Sequence, residues 1–394
     1  MIVGDREHAR QGEWMDYDLG GKAAELRTRL RALIAAEVPD DFLGAFTDNP
    51  ADLEIAQRFC RRLAEEGLLT VAWPAEFGGA GGSVWAQTVV REEMWAHHEP
   101  RGAQYMGLNW VGPAIMAYGT DAQKATFLPP IASGSVIWCQ VFSEPDAGSD
   151  LAALATRADP DGDGWRITGQ KIWTSYAQMA QWCVLAVRVG TTPADKHKGI
   201  TIFLVPMDRA GITVRPIRSM LGPHHLNEVF FDAVAASPDE VLGAVGEGWN
   251  VIRRALAHER VGIARYARCD RLLSLLAAEQ PVPDALRAQW VRALVQVRTS
   301  RLLAYKAMKE QELGEPVDAT ASAARLAVTQ CDQSVAEVLF QALEHRSLEG
   351  HANDAPLHGA VEDHWRYAQA ATVASGTIEV QRMIVSRALL GARS

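Results

Sequence analysis

Cysteine is scarce: Cys60, Cys139, Cys183, Cys269 and Cys331 are five in number, with no Cys-x-x-Cys spacing. An odd, scattered set excludes a disulfide framework and a zinc ribbon, so no metal is expected and a reducing, cytoplasmic setting fits. Long apolar runs are lacking as well, and no stretch is long enough to span a bilayer. The N-terminal segment MIVGDREHARQGEWMDYDLGG is polar and acidic, without the apolar core of a signal peptide. Basic charge is in deficit, with 39 Lys and Arg against 48 Asp and Glu, a net charge of −9. That balance excludes a protein that binds nucleic acid by phosphate neutralisation.

Several catalytic and nucleotide signatures are also missing. GGAGG at 78–82 lacks the G-x-G-x-x-G spacing and follows a helix-like segment rather than a strand. GWRITGQK nearly matches a Walker loop, but Gln170 stands where Lys should follow Gly169. There is no Gly-x-Ser-x-Gly elbow. His97–His98 and His224–His225 are adjacent pairs, whose rings point apart on either a helix or a strand, so neither suits a metal.

What is present falls into three textures. From about 22 to 138, apolar residues recur at three- and four-residue spacing, as in LRTRLRALIAAEV and IAQRFCRRLAEEGLL. From about 139 to 238 come short runs rich in Val, Ile, Thr, Phe and Trp, broken by Gly, Pro and Asp. They predict a mostly antiparallel sheet. From about 239 the helical pattern returns. The expected fold is α+β: a helical domain over 1–138, a β domain over 139–238 and a helical bundle over 239–394.

Two segments carry candidate chemistry. WCQVFSEPDAGSDLAALATRA (138–158) ends a strand-like run at Ser143-Glu144-Pro145 and continues into a loop of small residues, Ala147-Gly148-Ser149-Asp150. Such a loop brings backbone N–H groups and hydroxyls close to a planar or anionic ligand, or else is a solvated turn. In GWNVIRRALAHERVGIARYAR, Trp249, Ile252, Leu256, Glu259, Ile263 and Tyr266 fall on one helix face, of which Glu259 is the only charged member. A carboxylate on an apolar face has its pKa lifted, which suits a general base; the lesser alternative is a Glu at the stripe edge paired with an Arg of a neighbouring helix.

SEPDAGSDLA resembles the T/S-E-P-x-A-G-S-D signature of acyl-CoA dehydrogenases, and GQKIWTS is similar to that family's G-x-K-x-W-x-T/S strand. WPAEFGGAGG, YGTDAQKATFLPPIASG, NEVFFDAV and GTIEVQRMIVSRALLG resemble further family blocks in the same order, so the likeness runs from about 22 to 391. It implies FAD as cofactor, an acyl-CoA thioester as substrate and an electron-transfer flavoprotein as oxidant. It also implies that Gln140, Phe142 and Ser143 line the flavin's pyrimidine side. Ser149 would lie near the FAD pyrophosphate and the CoA arm, Trp173 beside the ring, and Ser175 around N5 and O4. Thr377 and Glu379 match flavin positions, while Arg260 and Arg387 match contacts to pantetheine and the CoA nucleotide. The backbone N–H of Ser375 would polarise the thioester oxygen.

The chain also departs from the family pattern. Ser375 stands before Gly376-Thr377, where many members carry the catalytic Glu, so Glu259 takes that role by likeness to members whose base lies on the earlier helix. Two stretches that reach FAD across the subunit interface are replaced by RCDRLLSLLAAEQPVPDALRAQWVRAL and QALEHRSLEGHANDAPLHG. Members acting on bulky, sterol-type thioesters depart similarly, and some are hetero-oligomers. The expected assembly is a homodimer, a homotetramer or a hetero-oligomer with a related chain. Rival readings are an acyl-CoA oxidase or monooxygenase on the same fold, and a non-catalytic FAD-holding subunit.

Overall fold

A computed structural model describes residues 19–44, 49–222, 224–254, 264–350 and 354–391. The first third is helical: α1 (Gly20–Glu37), α2 (Pro50–Glu65), α3 (Val84–Ala96), α4 (Gln104–Met106), α5 (Gly112–Tyr118) and α6 (Asp121–Ala132). Local chemistry sets where they start. Asn49 accepts the Ala51 N–H ahead of Pro50, and Thr120 and Gln123 cap α6 reciprocally. On α2 the three- and four-residue spacing turns Ala56, Phe59, Cys60 and Leu63 inward and leaves Arg58 and Arg61 in solvent.

The glycines of 78–82 serve packing. A Cβ at Gly79 would lie 2.1 Å from the Trp73 carbonyl oxygen, and one at Gly82 would lie 2.7 Å from that of Val71. Between α4 and α5 the helix widens into a buried π turn, Gly107–Val111.

The middle third holds β1 (Trp138–Val141), β2 (Arg157–Asp161), β3 (Gly164–Ser175), β4 (Trp182–Val189), β5 (Ile200–Pro206), β6 (Ile212–Ile217), β7 (Leu226–Ala236) and β8 (Val241–Leu242). They form one sheet in the order β6-β7-β3-β2-β4-β5-β8, with β1 beside β4. Pairing is antiparallel except where β1 and β2 run parallel to β4. Val184, Ala186, Ile202 and Leu204 pack into the helical core, while Leu185, Val187, Phe203 and Val205 fill the opposite face. Burial on both faces explains why β4 and β5 read as continuous apolar runs.

The last third begins with a helix over 248–254, here α7, and continues with α8 (Arg265–Glu279), α9 (Arg287–Glu312), α10 (Asp318–Leu343), α11 (Ala360–Ala370) and α12 (Ile378–Leu390). Leu272, Leu276, Val297, Val335 and Leu339 make its core. Of the predicted stripe, Ile252 and Tyr266 are buried. Leu256, Glu259 and Ile263 lie outside the described residues, as does Arg260. No described helix is long and apolar enough to cross a membrane.

Candidate functional site

Two of the motif segments lie side by side. The end of β1 carries half-buried Gln140, buried Phe142 and half-buried Ser143, and the Ile172 N–H of β3 donates to the Ser143 carbonyl at 2.9 Å. A buried ion pair joins the same segments. The Lys171 Nζ donates to Glu144 Oε1 at 2.8 Å and to the Phe142 carbonyl at 2.9 Å. Glu144 then accepts the backbone N–H groups of Ala155 at 2.6 Å and Thr156 at 2.9 Å, closing the loop that contains Ser149.

Burial works to raise the Glu144 carboxyl, but Lys171 and these hydrogen bonds outweigh it and hold the group below the usual carboxylate range. Burial pushes the Lys171 ammonium down to about 8 against the opposing pull of Glu144. Arg188, also buried, braces the far side by donating to the carbonyls of Leu154 at 2.7 Å, Lys196 at 2.7 Å and Lys198 at 2.9 Å.

A bulge displays Trp173. The register of β3 on β7 slips between Lys171 and Thr174, and Trp173 takes φ +60° with its indole 56% exposed. Left-handed backbone at a bulky residue costs about 1–3 kcal/mol, and bulges with such strain recur beside active sites. The surrounding bonds enforce it: the Asn227 side-chain amide donates to the Thr174 carbonyl at 3.1 Å, and the Tyr176 N–H donates to the His225 carbonyl at 2.7 Å. Ser175, between these anchors, is half-buried. A flat, exposed indole on the strand whose Ile172 N–H bonds the Ser143 carbonyl suits a planar heteroaromatic ring.

The remaining described candidates sit elsewhere. Ser149 is exposed on its turn. Ser375 has φ +59° and leads through Gly376 into α12, whose N-cap Thr377 accepts the Val380 N–H at 3.3 Å. Exposed Glu379 and Arg387 occupy the first and last turns of α12, where the helix dipole favours each charge. Buried Arg325 donates to the Ala371 carbonyl at 3.1 Å and the Ala374 carbonyl at 2.7 Å, fixing the turn before Ser375. The structure thus brings Gln140, Phe142, Ser143, Trp173 and Ser175 onto neighbouring strands. Ser375, Thr377 and Glu379 are gathered at the start of α12.

Sequence reasoning missed Glu144, Lys171, Arg188 and Arg325. One signal was available: Lys171 interrupts a strand at a position whose alternation points it inward.

A second polar cluster, of Cys269, Asp332 and His364, has its ligand atoms within 4.8 Å of one another. Its members are engaged with one another and with Arg265. The Arg265 guanidinium holds Asp332 at 2.5 Å, and burial drives the Cys269 thiol well above its usual range. Burial, then Arg268 and Arg265, keep the His364 imidazole well below its usual range. These groups form a buried hydrogen-bond network.

Comparison with known proteins matches all three parts of the fold. Residues 22–135 match the family profile "Acyl-CoA dehydrogenase, N-terminal domain", 139–234 the middle domain and 246–390 the C-terminal domain. The chain is 33% identical to acyl-CoA dehydrogenase IpdE1 of Mycobacterium tuberculosis over 390 residues, covering 93% of this chain and 97% of that protein. Among solved structures it is similar to the Tcur3481-Tcur3483 steroid ACAD, with a TM-score of 0.88, 32% identity, and coverage of 96% of this chain and 100% of that one. It is also similar to the ChsE4-ChsE5 complex from M. tuberculosis, with a TM-score of 0.84 and 30% identity over 96% of this chain and 100% of that one. From its N-terminal helices through the sheet to α12, the chain belongs to the acyl-CoA dehydrogenase family, whose members are oxidoreductases.

Proposed function

We propose that this protein is an FAD-dependent acyl-CoA dehydrogenase that desaturates the α,β bond of a bulky, steroid-type acyl thioester and works in complex with a related chain. The observation that carries the flavin reading is Trp173, strained and exposed on its bulge beside the Ser143 strand end. The donor set fits the cofactor: a flat apolar wall, the strand-end groups of Gln140, Phe142 and Ser143 for the pyrimidine edge, and the Ser175 hydroxyl beyond the bulge. Thr377 and Glu379 would complete the flavin contacts, with Ser149 toward the phosphates. FAD, when bound, supplies the hydride acceptor for the substrate's β-hydrogen.

The protein's own residues do the rest. Glu259 takes the α-proton, and the Ser375 N–H polarises the thioester oxygen as enolate charge develops. Arg260 and Arg387 hold the CoA arm, and Trp173 keeps water from the reacting face. An electron-transfer flavoprotein would remove the electrons. The steroid-type substrate and the related partner rest on likeness to the steroid ACAD and to the ChsE4-ChsE5 complex.

Anaerobic flavin bleaching by a panel of acyl-CoAs tests the reading. Steroid side-chain thioesters are expected to bleach the flavin faster than straight-chain ones of equal length. A colourless protein that takes up no FAD, alone or with a co-expressed partner, sinks it; faster bleaching by straight chains overturns the substrate assignment alone.

A further inference from the structure

We propose that Lys171 is a positioning residue that locks the two flavin-facing strand segments into one rigid frame. This rests on the flavin site described above.

The frame needs a device because its two halves belong to different strands. Phe142 and Ser143 lie at the end of β1, Trp173 and Ser175 at the bulged end of β3, and β1 takes its sheet partners from β4. The backbone supplies one bond across the gap, from the Ile172 N–H to the Ser143 carbonyl. Lys171 supplies the second, from its buried ammonium to the Phe142 carbonyl at 2.9 Å. Two adjacent carbonyls, 142 and 143, are therefore held by two adjacent residues, 171 and 172, immediately before the bulge.

The third member is Glu144. Its carboxylate neutralises Lys171 and accepts the Ala155 and Thr156 N–H groups. The loop carrying Ser149 is thereby closed onto the same lysine. Gly169 allows this approach, since a Cβ there would lie 2.4 Å from the Thr156 hydroxyl oxygen. A buried ion pair is weak evidence of stabilisation, because two apolar residues of similar volume often do as well. Its use here is to fix geometry: one ammonium ties strand end, loop and bulge together.

The test separates the two roles by comparing Lys171→Met with Lys171→Met/Glu144→Gln. The single variant leaves a buried carboxylate without its counter-charge and should lose thermal stability. The double variant should recover part of that loss, because neither charge remains, although an amide at this position can accept from only one of the Ala155 and Thr156 N–H groups. Under the positioning role, both variants bind FAD at least about tenfold more weakly, the equivalent of one charge-assisted hydrogen bond. Both also show a shifted visible flavin band, read on reconstituted apoprotein without any substrate. A double variant with wild-type FAD affinity and spectrum overturns the proposal. So does one that fails to fold, since the pair would then be required for the fold itself. Wild-type protein that takes up no FAD, alone or with a co-expressed partner, overturns the flavin site, and this proposal with it.

Discussion

Tyr266 donates its hydroxyl to Glu92 Oε1 at 2.9 Å, joining the first turn of α8 to the middle of α3. Tyr305 on α9 donates to the same oxygen at 2.9 Å, Arg301 approaches to 3.5 Å, and Arg27 on α1 reaches the other oxygen. One buried carboxylate thus links the N-terminal helices to the C-terminal bundle. Glu92→Ala should cost about 2–4 kcal/mol, because it removes the acceptor shared by the buried Tyr266 and Tyr305 hydroxyls and one counter-charge of half-buried Arg27 and Arg301. Tyr266→Phe should cost about 1–3 kcal/mol. Urea unfolding measures both, and a loss below about 1 kcal/mol for Glu92→Ala would mean that the helices are held by apolar packing alone.

Trp173 should show a trade between stability and binding. Trp173→Gly removes a left-handed strain of about 1–3 kcal/mol and sacrifices little burial, so the melting temperature should hold or rise. FAD affinity should fall and reduced flavin should react faster with oxygen, since the indole wall is gone. FAD titration and peroxide release on turnover are the measurements. Unchanged FAD affinity would assign the bulge a purely structural origin.

Glu259→Gln is expected to keep FAD and thioester binding and to lose flavin reduction by about 10²–10⁴-fold, the range for a positioned general base. Ser375→Ala should cost far less, because only its backbone N–H is proposed to act. Single-turnover anaerobic bleaching isolates the chemical step. Wild-type bleaching by Glu259→Gln would put the base elsewhere.

His364 makes stability fall in mild acid. Its folded pKa lies well below the ordinary 6.5, through burial first and then the nearby Arg268 and Arg265 charges. The unfolded chain therefore binds the proton first as pH drops below about 6.5. From that group alone, stability declines by up to about 1.4 kcal/mol per pH unit until the folded pKa is reached. His364→Gln should make the stability curve less steep below pH 6.5 in urea melts, whereas an unaltered slope would assign the acid loss to other groups, His98 among them.

Much of this protein is legible in its sequence because the relevant signals are local. Helix spacing such as Ala56, Phe59, Cys60 and Leu63 on α2, the Thr120–Gln123 cap, the doubly buried β4 and β5, and the ordered family blocks each operate within a few residues. Those features determined the helix–sheet–helix order and pointed to Ser143, Trp173 and Ser375. What they left open was how the motifs are held. Lys171 meets Glu144 across 27 positions, Arg325 meets Ala374 across 49, and Glu92 meets Tyr266 across 174. Each pairing depends on which surfaces pack, and one side chain has no local period by which to announce a partner. The left-handed turn of Trp173 is set likewise by the slip of β3 against β7. Sequence determined which residues are available to the site; tertiary packing decided which buried charges hold them in place, because ion pairs and strand register form only when distant segments meet.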